Sequence, residues 1–193
     1  MIGNDIVDLE LAAVQSNWRR PGFLEKVFTA AEVDCILSRE DQDLYVWLLW
    51  SMKEAAYKAH QRRFSLPRHL NWKMQECHVK KLLNASSEGI VSIGKEKYLT
   101  FTDIISNAIH TIAVEEKGTG IRKGFFQLSS EAARRHFLRQ VALEKSVDLQ
   151  ALALEKNKEG VPFISLHDRR LSEAFSLSAH GRFSGFCRPL RKP

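Results

Sequence analysis

The chain has 193 residues, of which 44% are hydrophobic and 27% charged, and its formal net charge is +6. This length allows one sizeable hydrophobic core or two small packed lobes, and this composition excludes a disordered chain. No apolar run reaches the roughly 18 residues that a membrane-spanning helix needs, and the first residues lack the charged and apolar segments typical of a signal peptide. We therefore expect a cytoplasmic protein that does not interact with a membrane.

The positive charge favours an anionic partner. Most basic residues are scattered along the chain, without the alternation of aromatic and basic residues that is typical of RNA-binding proteins. An acidic protein or a polyphosphate small molecule accounts for the charge as well as a nucleic acid does. We therefore do not predict a nucleic-acid partner.

Residues 1–9 are predicted to form a buried strand, because Ile2, Ile6 and Val7 are apolar. One acidic residue, Asp5, interrupts this apolar run. A carboxylate is costly to bury without a partner, so its position indicates that a cation lies next to the strand.

Two helices are predicted after this strand. Thr29 is followed three residues later by Glu32, which is the signature of a capping box and predicts a helix over 30–38. Apolar residues at helical spacing predict a longer helix over 44–61, with Asp43 as its N-cap.

The second half of the chain is richer in strand patterns. Strands are predicted at 74–83, 89–101 and 108–115, and a linker at 118–120. A helix over 131–146 comes next, and the remaining residues have the pattern of short strands and turns.

This order of elements is typical of an α+β fold. We predict two related lobes, each with a helix packed on a small antiparallel sheet. The first lobe would comprise residues 1–117 and the second residues 118–193.

Glu54 and Lys58 are four residues apart in the long helix, so their side chains project from one face. On a solvated helix such a pair contributes only about 0.3–0.5 kcal/mol and is common, and this interpretation stays open. Together with Asp5, however, the pair has the composition of a magnesium–pyrophosphate site. Mg²⁺ is usually bound by one or two carboxylates and the substrate's phosphates, and a lysine can neutralise the remaining phosphate charge.

Three segments resemble consecutive motifs of the 4'-phosphopantetheinyl transferases. Residues 3–7 read G-N-D-I-V, residues 28–32 read F-T-A-A-E, and residues 50–58 read W-S-M-K-E-A-A-Y-K. The family motifs are G-x-D-I, F-[ST]-x-x-E and W-x-x-K-E-A-x-x-K, in the same order and at similar spacing. Residues 64–67, F-S-L-P, are similar to the surfactin-synthetase type of the family. The resemblance covers roughly residues 1–115.

The resemblance implies an enzyme that moves the 4'-phosphopantetheine arm of coenzyme A onto a serine of an apo acyl or peptidyl carrier protein and releases 3',5'-ADP. By position in the motifs, Asp5 and Glu54 would hold Mg²⁺ and Lys58 would bind the pyrophosphate, which makes these three the catalytic residues. Glu54 would also help to accept the serine proton, and Lys53 would contact the coenzyme. Carrier proteins are generally acidic, which would explain the charge of +6.

One position departs from the larger members of the family. They often carry a second acid two residues after the first, where this chain has Val7. Asp8 cannot replace that acid, because successive residues of a strand point to opposite faces. In this respect the chain resembles the small holo-acyl-carrier-protein synthase type, and Asp8 is predicted to be a loop or cap residue.

The C-terminal third resembles another part of the larger transferases. Residues 160–163 and 175–183 are similar to a G-K-P stretch and an S-x-S-H-S-G-R-W-like strand and turn. In the family these segments precede the G-x-D-I strand, whereas here they follow it, so we predict a circular permutation. The resemblance implies a coenzyme A-binding lobe with Ser178, His180 and Arg182 at the 3'-phosphate. The histidine is displaced by one position, and a turn histidine without a ligand is an equal alternative.

Three arginines follow the long helix, namely Arg62, Arg63 and Arg68. They are candidates for contact with the carrier protein or with coenzyme phosphates. A solvated surface explains them equally well.

Two alternatives to a monomeric two-lobed transferase stay open. Residues 1–116 could form a small-type synthase that trimerises, with the rest of the chain as an appendage. The chain could also be a catalytically degenerate module that binds carrier proteins or nucleic acid. The presence of Asp5, Glu54 and Lys58 together argues against a degenerate module, because pure binding does not need a metal–phosphate site.

Overall fold

The computed structural model describes residues 1–105, 107–115 and 120–190. Residues 116–119 are thus not described. They include most of the predicted linker at 118–120 and the predicted boundary between the two lobes. Within the described ranges the helices and strands follow in this order: β1 (Ile2–Asp8), α1 (Leu9–Gln15), α2 (Phe23–Val27), α3 (Ala30–Leu37), α4 (Gln42–Phe64), β2 (Gln75–Leu83), β3 (Ser86–Ile93), β4 (Glu96–Ile105), β5 (Ala108–Val114), β6 (Ile121–Phe126), α5 (Ser130–Lys145), β7 (Leu152–Lys156), β8 (Pro162–Leu166), β9 (Arg169–Arg170), β10 (Ser176–His180) and β11 (Phe183–Pro189).

The first half is an antiparallel sheet in the order β1-β5-β4-β3-β2, with α4 packed on it. Every residue of β1 and β5 is buried. The helix crosses β1 so closely that a Cβ atom at Gly3 would collide with the backbone of Ala55 and Ala59. Glycine at this position therefore lets the helix and the strand approach each other, which brings Asp5 next to the helix.

The second half contains two three-stranded antiparallel sheets, β10-β11-β6 and β7-β8-β9. The helix α5 covers them with a buried stripe that includes Phe137 and Val141, four residues apart. The α+β class is confirmed, with antiparallel sheets and packed helices. The second half differs from the prediction in having two small sheets instead of one.

The two halves meet where β10 lies along the free edge of β1. Backbone N–H groups of three alternate residues in β1 donate hydrogen bonds to side chains of three alternate residues in β10. The pairs are Asn4 to Ser176 Oγ (3.0 Å), Ile6 to Ser178 Oγ (3.2 Å) and Asp8 to His180 Nδ1 (2.9 Å). Since side chains alternate along a strand, the S-x-S-x-H pattern aims all three acceptors at β1. The strand that carries Asp5 is thus held by a backbone ladder on one edge and by side chains on the other.

Both predicted N-terminal helices are present. The capping box of α3 is complete, with Thr29 N donating to Glu32 Oε2 (2.8 Å) and Glu32 N to Thr29 Oγ1 (3.3 Å). The N-cap of α4 is Asp41, which accepts from Leu44 N, so the prediction of Asp43 was wrong. Asp43 instead accepts hydrogen bonds from Trp18 and Arg19.

The predicted strand over 89–101 was also wrong. A turn with Gly94 at φ +60° divides this segment into β3 and β4, which pair with each other. The sequence pattern missed this turn because the apolar alternation continues on both sides of it. It also missed α1, α2 and β6, which are short elements. None of the helices in the described residues is long and apolar enough to cross a membrane.

Candidate active site

A cavity of about 580 Å³ is lined by residues of α4, β1, the β7–β8 hairpin and β10. Its lining includes Asp5, Glu54 and Lys58 of the first half, and Ser178 and His180 of the second half. Part of the lining is apolar or aromatic, with Val7, Ala12, Trp47 and Trp50. Cations line other parts of the wall: Arg62, Arg68, Arg134 and Lys156.

Asp5, Lys58 and Ser178 form one hydrogen-bonded cluster. The Lys58 ammonium donates to Asp5 Oδ1 (2.9 Å), to the Asn4 carbonyl (2.9 Å) and to Ser178 Oγ (3.3 Å). The Ser178 hydroxyl donates to Asp5 Oδ1 (3.2 Å) and accepts from Ile6 N, so its hydrogen-bonding capacity is fully used. A side chain of the second half therefore orients the acid and the lysine of the first half.

Glu54 lies one helical turn before Lys58 and faces the same cavity. Burial, and then the negative charge of Asp5, raise the pKa of this carboxyl to about 7, although Lys58 and Arg68 oppose the shift. Within the described part of the chain no hydrogen bond to Glu54 forms. Glu54 is half-buried, and a further cation beside Glu54 and Asp5 would lower the pKa of Glu54.

The donor set fits Mg²⁺. Asp5 and Glu54 line the same cavity and offer the hard carboxylate oxygens that this ion prefers. No group of three or more His, Cys, Asp or Glu residues could hold a metal ion in the described ranges. Magnesium sites of one or two carboxylates take their remaining ligands from water and substrate phosphates, so two protein ligands suffice.

Lys53 does not line this cavity. Its ammonium is completely buried on the opposite side of α4, where it donates to Glu32 Oε2 (2.7 Å), Val27 O (3.0 Å) and Trp72 O (3.3 Å). Glu32 also accepts from Cys77 N (2.7 Å), so this ion pair ties α3, α4 and the start of β2 together. We therefore withdraw the assignment of Lys53 to coenzyme binding, because its donors are used and no solvent reaches them.

Arg182 does not line the cavity either. Its guanidinium makes a two-pronged contact with Asp8 at 2.9 Å for each hydrogen bond, and it pairs with Glu10 at 2.7 Å. These hydrogen bonds hold the pKa of the buried Asp8 carboxyl well below its usual range. Asp8 is also the N-cap of α1, accepting from Leu11 N (3.4 Å), as predicted. We therefore withdraw Arg182 from the predicted 3'-phosphate site, because two carboxylates already neutralise it.

Ser178 and His180 do line the cavity. His180 Nδ1 accepts the N–H of Asp8 (2.9 Å), which assigns the proton of the neutral ring to Nε2. Nε2 is then the ring nitrogen left for a ligand. Both residues thus combine a structural contact to β1 with exposure to the cavity.

Sequence reasoning missed two cations of the cavity wall, Arg134 on α5 and Lys156 on β7. Nothing in the spacing of the chain relates them to the motif helix. Arg68 was a candidate because it follows that helix, and it lies close enough to Glu54 to lower the pKa of its carboxyl. Among the described residues the lining carries four carboxylates and five cations. The carboxylates are Asp5, Glu54, Glu155 and Glu159, and the cations are Lys58, Lys156, Arg62, Arg68 and Arg134. The arginines and lysines are suited to a phosphate-bearing ligand.

The comparison with protein families agrees with this class of site. The sequence profile of the 4'-phosphopantetheinyl transferase superfamily matches residues 1–113, more than half of the chain. The chain therefore belongs to the 4'-phosphopantetheinyl transferase superfamily. The crystal structure of Thermotoga maritima holo-[acyl-carrier-protein] synthase is similar over 85% of this chain and 81% of that chain, with 18% sequence identity and a TM-score of 0.44. No curated protein sequence matches the chain.

Proposed function

We propose that this protein transfers the 4'-phosphopantetheine group of coenzyme A to a serine of an apo carrier protein and releases 3',5'-ADP, with Mg²⁺ as cofactor. The observation that carries this proposal is the meeting of Asp5, Glu54 and Lys58 with Ser178 in one cavity. A serine from the carrier protein supplies the nucleophile, so the cavity needs no nucleophile of its own.

The reaction is a displacement at phosphorus. The serine oxygen forms a bond to the phosphorus that carries the pantetheine arm, and the bond from that phosphorus to the bridging oxygen of the pyrophosphate breaks. The serine proton must leave, and Glu54, which lines the cavity, accepts it directly or through water. Lys58 binds the pyrophosphate and stabilises the charge that develops on the leaving 3',5'-ADP.

Asp5 and Glu54 would hold the metal ion. When bound, Mg²⁺ neutralises phosphate charge and orients the pyrophosphate. Ser178 keeps Asp5 and Lys58 in position through its hydrogen bonds to both.

The remaining cations of the cavity wall would bind the other phosphates of the coenzyme. Arg68 lies near Glu54, and Arg134, Lys156 and His180 also line the cavity. The predicted lobes 1–117 and 118–193 would then act as a catalytic lobe and a coenzyme A-binding lobe, in a circularly permuted order.

A monomer is the proposed form. Ser178 of the same chain reaches Asp5 and Lys58, which supports a cavity that one chain completes and disfavours a trimer built on residues 1–116. The net charge of +6 supports an acidic carrier protein as the partner, by electrostatic complementarity. A cytoplasmic location is part of the same proposal.

Mass spectrometry of an apo acyl carrier protein incubated with this protein, coenzyme A and Mg²⁺ tests the proposal. We expect the carrier to gain one phosphopantetheine arm, and we expect EDTA or the change Glu54→Ala to abolish the gain. Glu40→Ala, which removes an exposed carboxylate outside the cavity, is the matched control and should keep the activity. No gain on several carrier proteins, with coenzyme A still bound, would favour the degenerate binding module. No gain and no coenzyme A binding would contradict the proposed function.

A further inference from the structure

Arg62 carries a positive charge that no carboxylate neutralises within the described residues. It lies in the last turn of α4 and is half-buried. Its guanidinium donates one hydrogen bond, from Nη1 to the Ile2 carbonyl (3.1 Å). A guanidinium has five N–H donors, so most of its capacity is unused.

The surroundings make this charge costly. Burial lowers the pKa of Arg62 to about 10. The nearby Cys187 thiol is no counter-charge, because burial raises its pKa to about 12 and keeps it neutral. A cation removed from water is normally paired, and no carboxylate of the described residues pairs with Arg62.

The next residue, Arg63, shows that an arginine at this end of α4 can be paired. Its guanidinium forms ion pairs with Glu96 (2.9 Å) and with Glu115. Arg63 does not line the cavity, whereas Arg62 does. Arg63 therefore contacts two carboxylates outside the cavity, whereas Arg62 faces the cavity.

Arg62 faces two cavities. It continues the stripe of Glu54 and Lys58 along α4, because each is four residues or about 6 Å from the next. Beyond it lies a smaller cavity of about 180 Å³ in the seam between α4 and the β8–β9 hairpin, and the two cavities share Gln61, Arg62, Val161 and Pro162 as lining.

The smaller cavity, which we call the seam cavity, is suited to an anion. Arg62 and Arg170 line it together with the hydroxyl-bearing Ser172. Glu173 also lines it, but its carboxylate is paired with Lys145 at 2.6 Å. The charge that remains on the lining is positive.

We propose that Arg62 binds a phosphate-class anion at the junction of the main cavity and the seam cavity. The planar guanidinium matches two oxygens of a phosphate, which a lysine at this position would not do. The phosphate can be a group of the coenzyme that enters from the main cavity, or free inorganic phosphate. The anion site itself does not depend on the proposed transfer reaction, and only its assignment to the coenzyme rests on that function.

Titration calorimetry with inorganic phosphate, at constant ionic strength in a chloride buffer, tests this site without any transfer assay. Four proteins are compared: the wild type, Arg62→Gln, Arg62→Lys and Arg63→Gln. Removal of the guanidinium should weaken phosphate binding about 10- to 100-fold, because a charge-assisted hydrogen bond is lost. Arg62→Lys should give an intermediate affinity, and Arg63→Gln should bind as the wild type does. Thermal unfolding of each variant shows that the titrated protein is folded, and Arg62→Lys serves as the test if Arg62→Gln is not.

A repeat at saturating coenzyme A separates the two sources of phosphate. Loss of phosphate binding means that the coenzyme's own phosphate occupies the site, and retained binding means a site for free phosphate; both outcomes support the anion site. No phosphate binding by the wild type would overturn it. Equal affinity in the wild type and in both Arg62 variants, or an equal loss in Arg63→Gln, would also overturn it, because the anion would then be held elsewhere or by net charge alone.

Discussion

Lys53 and Lys58 belong to one motif of α4, but the two faces of the helix give them different roles. Both ammonium groups have three oxygen partners. The Lys53 side chain is 0% exposed and its ion pair lies inside the core, whereas the Lys58 side chain is 26% exposed and faces the cavity. Five residues along a helix rotate the side chain by about 140°, which separates the core face from the cavity face. Access to a ligand therefore distinguishes the two lysines, since the number of their partners does not.

The largest expected effect is on the rate of phosphopantetheine transfer, which should distinguish the two lysines. Lys58→Met should lower kcat for phosphopantetheine transfer roughly 100- to 1,000-fold, because a cation aimed at the developing charge is removed. Folded Lys53→Met should keep a kcat within about threefold of the wild type, since Lys53 does not reach the cavity. Rates of carrier-protein modification followed by mass spectrometry measure both. Equal losses in the two variants would contradict the assignment of separate roles.

For the free energy of unfolding, we expect the change at Lys53 to have the larger effect. Lys53→Met should lower the free energy of unfolding by about 3–5 kcal/mol, because Glu32 is then a buried charge without its partner. Adding Glu32→Gln in the same protein should recover part of that loss. Urea unfolding of the two single variants and the double variant gives the coupling energy. Simple additivity of the two changes would show that the pair is not coupled.

The pH dependence of stability tests the environment of Glu54 on the cavity face of α4. The pKa of Glu54 rises from 4.5 to about 7 on folding, so the fold favours the protonated carboxyl. The contribution of this group to stability is complete below pH 4.5 and is lost as the pH rises through about 7. Without metal, the wild type should therefore lose stability relative to Glu54→Gln over this range.

Metal addition provides the control for that experiment. At a pH above 7, Mg²⁺ should raise the Tm of the wild type more than that of Glu54→Gln, and EDTA should reverse the effect, because binding to the native state stabilises it. Thermal unfolding across pH, with and without Mg²⁺, measures both parts. A pH profile that Glu54→Gln leaves unchanged would contradict the raised pKa.

The smallest effect is expected at Arg182. Arg182→Gln should leave coenzyme A affinity within about twofold of the wild type, because its guanidinium is paired with Asp8 and Glu10 outside the cavity. Its Tm should fall, since the buried Asp8 carboxylate loses its partner. Arg134→Gln, which changes a cavity cation, should weaken coenzyme binding in the same calorimetric titration. A large loss of affinity in Arg182→Gln would restore the role that the sequence predicted.

The elements predicted best were those with local signals. The capping box of Thr29 and Glu32 marked the start of α3, and the apolar spacing of α4 located the helix that carries Glu54 and Lys58. Both depend on residues three or four positions apart, whose contacts the helix itself determines. The turn at Gly94 was missed because the strand pattern on both sides of it is the same, so no local signal separated one long strand from a hairpin.

The partners of the charged side chains were predicted less well. Lys53 and Arg182 were expected at the coenzyme, and each instead pairs with a carboxylate, Glu32 or Asp8. Arg182 and Asp8 are 174 positions apart, and no periodicity of the sequence relates them. A resemblance of motifs indicates which residue types occur together. A cation in such a motif can still be neutralised by a carboxylate from elsewhere in the chain.

The sequence by itself determined the motif helix, the acid-bearing strand and the family, because these depend on residue types at short, regular spacing. Only the tertiary structure decided which cations face the cavity. It brought Ser178 to Asp5, 173 positions away. Among the residues that the structure describes, it gave Arg63 two carboxylate partners and Arg62 none. The physical reason is that charge neutralisation and burial depend on distances between elements remote in the chain, and packing alone sets these distances.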